Sequence, residues 1–233
     1  MIKKTTVVVL LVAIVLISGC SNIPRPVTMD KIQFKEMIKK SKDFKTIIQE
    51  YDQVTKNIPG KGGEIRASGK VWIRRNENGI PDYRQQYKVE DSPIELDIII
   101  TDNNAYLKMD DNYYKADLSQ FDITSSDEYV DMFLENIDEV EIKGEETIDD
   151  KKCTNVVYKN YYIDEYGVSI VETCFWNEHG VPLRVIIKGP GPEPGLVSTN
   201  LFKNYVFDET IPDSMFEVPV DKIVELPPEY FQD

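Results

Sequence analysis

The chain has 233 residues, with 41 acidic against 27 basic side chains and a formal net charge of −14. A surface this acidic argues against nucleic acid as a partner, since phosphate backbones are held by clustered Lys and Arg. It is also repelled by anionic headgroups, so attachment to a membrane has to come from apolar groups or covalent lipid. Thirteen tyrosines, nine phenylalanines and two tryptophans point to an ordered core rather than a solvated chain.

Met1-Ile2-Lys3-Lys4 precedes an apolar run from Val7 to Ile17 that closes on Ser18-Gly19-Cys20, the layout of a secretory signal. The run is shorter than the roughly 20 apolar residues a membrane-spanning helix needs. Leu16-Ile17-Ser18-Gly19-Cys20 resembles a lipobox. The small residues would let the signal peptidase reach the bond before Cys20, whose thiol is the nucleophile able to take a diacylglyceryl group. An uncleaved signal anchor is the alternative. Two acyl chains hold a protein stably where one does not. The expectation is therefore a signal over residues 1–19, a lipidated tether over 20–28 containing Pro24 and Pro26, and one domain over 29–233. The product would be exported and lipid-anchored on the outer face of the cytoplasmic membrane or in the outer membrane.

Residues 29–40 predict a helix with Phe34, Met37 and Ile38 on one side and Lys39-Lys40 at its carbonyl end. Residues 64–75 alternate, with Ile65, Ala67, Gly69, Val71 and Ile73 on one face and Arg66, Ser68, Lys70, Trp72 and Arg74 on the other, as in a half-buried strand. After a break at 76–81, Tyr83, Tyr87 and Val89 share a face opposite Arg84 and Lys88. Strands follow at 94–101, 104–109 and 112–118, separated by breaks short enough for antiparallel hairpins. A second helix is predicted over 125–137: Ser125 with Glu128 fits a capping box, and Tyr129, Val130, Phe133, Leu134 and Ile137 form an apolar stripe. Further strands are expected at 139–149, 153–162, 168–176, 181–188 and 197–207, and the proline-rich tail after Phe216 as irregular chain along the body. The sum is a mainly β fold with a few helices: a strongly curved antiparallel sheet, an unclosed barrel, with helices over its concave face.

Export places Cys153 and Cys174 where disulfides persist, so a disulfide is favoured over two buried thiols. Placing them directly opposite would centre the hairpin loop on Ile163-Asp164, whereas the turn residues are Asp164-Glu165-Tyr166-Gly167. A bulge or a longer loop would have to absorb that mismatch. One histidine, His179, and no compact cysteine cluster give no metal site, and nothing points to a cofactor.

Three groups of segments then combine. The first is Gly69-Lys70-Val71-Trp72-Ile73-Arg74 with Tyr83-Arg84, Ile98-Ile99-Ile100-Thr101-Asp102 and Ala105-Tyr106-Leu107. The second is the hairpin Phe175-Trp176-Asn177-Glu178-His179-Gly180-Val181-Pro182-Leu183-Arg184. The third is Asn204-Tyr205-Val206-Phe207-Asp208 with Ile211-Pro212-Asp213-Ser214-Met215-Phe216-Glu217-Val218-Pro219. In order and spacing, over most of residues 44–219, they resemble the LolA/LolB-like superfamily of lipoprotein carriers and lipid-anchored relatives. The resemblance implies an unclosed antiparallel barrel whose apolar concave face is lidded by helices and receives acyl chains. The soluble carriers keep no lipid, so Cys20 makes the chain more similar to the anchored members than to a shuttle.

Adjacent acidic pairs such as Asp110-Asp111, Glu145-Glu146 and Asp149-Asp150 are expected by chance among 41 acidic residues, and read as solvated turns rather than acid/base pairs. His179 lies in a predicted turn. No phosphate loop, nucleophile elbow or H-E-x-x-H motif is present, so no catalysis is expected. Two functions remain. One is a lipid-anchored protein binding a hydrophobic ligand, an acyl chain or the lipid of another lipoprotein, in a cavity lined by Ile65, Val71, Ile73, Leu96, Ile98, Phe133, Leu134, Leu183 and Val185. The other is a non-catalytic interaction or sensory module at the membrane surface whose core is filled.

Overall fold

The computed structural model describes residues 29–57, 63–76, 81–92, 95–101, 104–109, 111–116, 126–159, 163–164, 167–189 and 195–225. The signal, Cys20, the tether and Ser125 lie outside these residues. Helix α1 (Lys31–Lys39) starts with a reciprocal cap: Gln33 N–H donates to Asp30 Oδ1 and Asp30 N–H donates to Gln33 Oε1. It buries Phe34, Met37 and Ile38, the i, i+3, i+4 stripe expected of a helix lying on a core. A 3-10 turn (Lys40–Asp43) leads into strand β1 (Thr46–Lys56).

Strands β2 (Glu64–Arg74), β3 (Asp82–Val89), β4 (Glu95–Thr101), β5 (Asn104–Met109) and β6 (Asn112–Ala116) form an antiparallel meander. Helix α2 (Ser126–Glu135) follows, then β7 (Glu141–Ile148) and β8 (Lys151–Tyr158), the short pair β9 (Ile163–Asp164) and β10 (Gly167–Val168), and β11 (Ile170–Trp176), β12 (Pro182–Lys188) and β13 (Val197–Phe207). With a last short strand, β14 (Ile223–Glu225), one twelve-stranded sheet results, in the order β14-β6-β5-β4-β3-β2-β1-β13-β12-β11-β8-β7, and it does not close into a barrel. The pairing of β1 with β13 joins the meander to the second half of the sheet. Among the described residues no helix is long and apolar enough to cross a membrane.

Two elements differ from the sequence reading. Strand β1 replaces unassigned chain, and the tail is not irregular throughout: β14 (Ile223–Glu225) runs parallel to β6. Upstream of it, Ile211 and Phe216 are 5% and 2% exposed, and the tail is pinned on the outer face of the sheet. Arg74 binds Asp213 at 2.6 Å with its guanidinium over the Phe216 ring, and Arg84 donates to the Met215 carbonyl. Ile99, which points to that outer face, is 1% exposed. The acidic pair Asp149-Asp150 forms the two-residue turn between β7 and β8, both at positive φ, as a hairpin of this length requires.

Cys153 and Cys174 form a disulfide, with Cα atoms 5.4 Å apart. The register needs no bulge between β8 and β11: Cys153 pairs with Trp176 and Cys174 with Asn155, so the cysteines are diagonal neighbours on one face. They pack with Leu183 in a small cluster separate from the main core. At a sequence separation of 21, the crosslink should stabilise the fold by about 3 kcal/mol through the constrained unfolded chain. Urea unfolding with and without reductant measures this, and coincident midpoints would defeat it.

Candidate functional site

The main core lies on one face of the sheet, where alternation points Ile47, Gln49 and Tyr51 of β1, Val71 and Ile73 of β2, and Tyr83 of β3. Helices α1 and α2 lie on this face. Phe34 of α1, Phe133 of α2 and Phe175 of β11 are each 0% exposed. Phe133 sits edge-on to Phe175 at 5.1 Å, to Phe34 at 6.4 Å and to Tyr158 at 6.4 Å, the arrangement ring quadrupoles prefer. Of the residues expected to line a cavity, Val71, Ile73, Phe133 and Val185 belong to this cluster, and Ile98 and Leu134 pack against it.

Leu183 leaves that set. Strict alternation would place it with Val185, but the β11–β12 register shifts between Cys174 and Phe175, and the inserted residue turns Leu183 onto the disulfide cluster. Ile65 and Leu96 are half-buried, outside both clusters. The rings Phe34, Phe175 and Tyr158 were not singled out as lining residues. The Phe34-Met37-Ile38 stripe was the signal that α1 shares the covered face.

Away from the phenylalanines the same face becomes polar. Tyr83 Oη donates to Gln85 Oε1 at 2.6 Å, Gln85 Nε2 donates to Tyr51 Oη, Tyr87 Oη donates to Gln53 Oε1, and Gln53 Nε2 donates to Ser198 Oγ. Gly69 lies between Tyr51 and Tyr87 in the register and makes room for this ladder: a Cβ there would meet the Tyr51 ring at 2.5 Å. Burial pushes the Tyr51 phenol up to about 12, with the Gln85 bond opposing it, so the group stays protonated and neutral.

The opposite face is charged. A trough of about 810 Å³ crosses β13, β1, β2, β3, β4 and β5 there. Its lysines 70, 88, 108 and 203 face acidic residues 50, 52, 95 and 97 in equal number. Lys70–Glu50, Lys88–Glu95 and Lys203–Asp52 are ion pairs, so the trough has no net sign with which to select a charged ligand.

His179, in the β11–β12 turn, is ringed by Trp176 at 4.2 Å, Phe207 at 4.7 Å and Phe44 at 5.6 Å. Its pKa is lowered, first by burial, with Lys40 adding to the shift and Glu178 opposing it. It packs an aromatic cluster. Where a carboxyl pKa is displaced, at Glu64, Glu95 and Glu141, hydrogen bonds from Arg66, Lys88 and Lys143 lower it, the direction opposite to that of a general acid. Glu146 lies near both cysteine sulfurs, but these are spent in the disulfide and Glu146 pairs with Arg184.

No protein-family model and no curated protein matches the sequence. Among solved structures the chain is similar to that of LprF from Mycobacterium bovis, 13% identical with a TM-score of 0.48, covering 78% of this chain and 94% of that one. A LolA superfamily protein from Nitrosomonas europaea is also 13% identical, with a TM-score of 0.38, over 79% of this chain and 97% of that one. The likeness extends to the Pseudomonas aeruginosa MucA/MucB complex, at 9% identity and a TM-score of 0.47, over 82% of this chain and 61% of that one. At these values the likeness concerns architecture alone.

Proposed function

We propose that the chain is an extracytoplasmic, non-catalytic lipoprotein, anchored through lipid on Cys20, which binds a hydrophobic ligand between α2 and the covered face of the sheet. The ligand is an acyl chain or the lipid part of another lipoprotein, and residues 29–233 form the single domain that takes it. The attachment of α2 carries this reading. Its core contacts are apolar, chiefly Phe133 and Val130, both 0% exposed. Just past its end Lys31 of α1 donates to the Asp138 carbonyl, and among the described residues its ion pair, with the turn after α1, is Lys42–Asp131, whose side chains are 33% and 55% exposed. Such a pair contributes about 0–1 kcal/mol. The disulfide lies elsewhere, in the cluster with Leu183. A helix held by interchangeable apolar contacts can lift and exchange a phenyl ring for an acyl chain at little net cost, because both present the same chemistry to Val71, Ile73 and Val185.

One observation favours the interaction module: the three phenylalanines fill the space beneath the helices. In that reading they never part, and the outer surface meets a partner.

The anchor is tested by Cys20→Ala, which is expected to leave the membrane fraction or to remain unprocessed, since no other side chain at that position takes the lipid. Normal processing with unchanged fractionation of the variant would sink the anchor. Native mass spectrometry of the chain from residue 21 onward is expected to show co-purified lipid. A bare protein that also takes up no added fatty acid decides for the interaction module.

A further inference from the structure

We infer that Gln49 is the polar contact of the proposed binding site, and that it selects an amphiphile with an uncharged hydrogen-bonding group, an ester, amide or hydroxyl, beside its acyl chain. This rests on the binding role proposed above and names the chemistry of its ligand.

The β1–β2 register is unbroken from Thr46 to Lys56, so Gln49 shares the covered face with Ile47 and Tyr51. It is 0% exposed. Neither its Nε2 nor its Oε1 has a hydrogen-bond partner among the described residues. The other glutamines pointing to this face, Gln53 and Gln85, are both bonded. An amide buried without partners is destabilising, and an apolar side chain of the same shape would fold more stably there. Buried polar groups of this kind are few in folded proteins, and each calls for a reason. A ligand that meets the amide supplies one.

The surroundings decide the ligand's charge. On β1, β2, β3 and β4 every Asp, Glu, Lys and Arg occupies an outward position, and the inward positions are apolar, aromatic or amide, with the one hydroxyl of Thr55. A phosphate or an ionised carboxylate brought to Gln49 would be buried without a counter-charge, which is strongly unfavourable. A neutral carbonyl can accept from Nε2, and a hydroxyl or amide N–H can donate to Oε1. The row through Gln49 runs across Val71, Gln85 and Ile98, so apolar wall lies beside the amide for the attached chain. Because Gln49 is sealed, its ligand gains access only when the cover of this face moves.

The test compares two fluorescent probes, a fatty acid and the monoacylglycerol ester of the same chain, on the chain from residue 21 onward, which keeps every described residue. The wild type is expected to bind the ester more tightly. Gln49→Met, close in shape, is expected to weaken ester binding by about tenfold, to leave fatty-acid binding nearly unchanged, and to keep or raise the thermal midpoint. Gln49→Leu serves as a second variant should the first not fold. Ester binding equal to wild type in a folded variant overturns the inference while leaving the binding role standing. A lowered midpoint with unchanged binding overturns it too, by showing that the amide is already satisfied. If the wild type binds neither probe, the binding role falls and takes this inference with it.

Discussion

Phe133→Ala is expected to lower the thermal midpoint by roughly 6–20 °C, the equivalent of the about 3–5 kcal/mol lost when a fully buried phenyl is removed. The ring is 0% exposed and meets Phe175, Phe34 and Tyr158, so the space it leaves cannot be refilled by one neighbour. The same substitution separates the two functions. If α2 is a lid, removing its central ring weakens the closed state but leaves the ligand's wall intact, since Val71, Ile73 and Val185 are on the sheet. A fluorescent acyl probe should then bind the variant at least as tightly as the wild type at temperatures where both are folded. The lid reading fails if the midpoint falls as expected while neither protein binds the probe.

The parts legible in the sequence are those where one face is apolar and the other charged. Strand β2 alternates from Ile65 to Ile73 and is buried as its pattern says, and the stripes of α1 and α2 locate Phe34 and Phe133. Strand β1 was hidden because its inward positions include Gln49, Gln53 and Thr55, which erase the alternation a strand is read by. If that face binds a ligand, as proposed, a local rule is expected to fail there. Leu183 was misplaced for a different reason: a one-residue bulge inverts every facing beyond it, and no residue type announces it. The cysteines posed a register problem only on the assumption that bonded partners sit directly opposite, whereas a diagonal pair satisfies the reach. Strand β14 has three residues, too few for periodicity to show, and rests on its pairing with β6.

Gly180→Ala is expected to cost about 3 kcal/mol or more, far beyond its size, because two penalties coincide. Gly180 has φ +71°, where a side chain is strained whatever the space. Its Cβ would also lie 2.3 Å from the Met37 carbonyl oxygen and 2.9 Å from Ile38 Cα, backbone atoms that cannot rotate away. The glycine is fixed in place by its own bonds: Gly180 N–H donates to the Trp176 carbonyl at 2.7 Å, and Trp176 N–H donates to that of Val181. Relief therefore requires the end of α1 to move off the turn, breaking the contact of Lys40 with the Asn177 carbonyl and shifting Phe34 from Phe175. Gly144→Ala is the control. It has φ +142° but nothing within 4 Å of the added carbon, so it carries the conformational strain without the collision. Thermal midpoints of the two variants are compared with tryptophan fluorescence, which reports on Trp176 beside the turn. Equal losses would mean that α1 yields freely at its seat on the hairpin. A larger loss for Gly180→Ala means that α1 is clamped there.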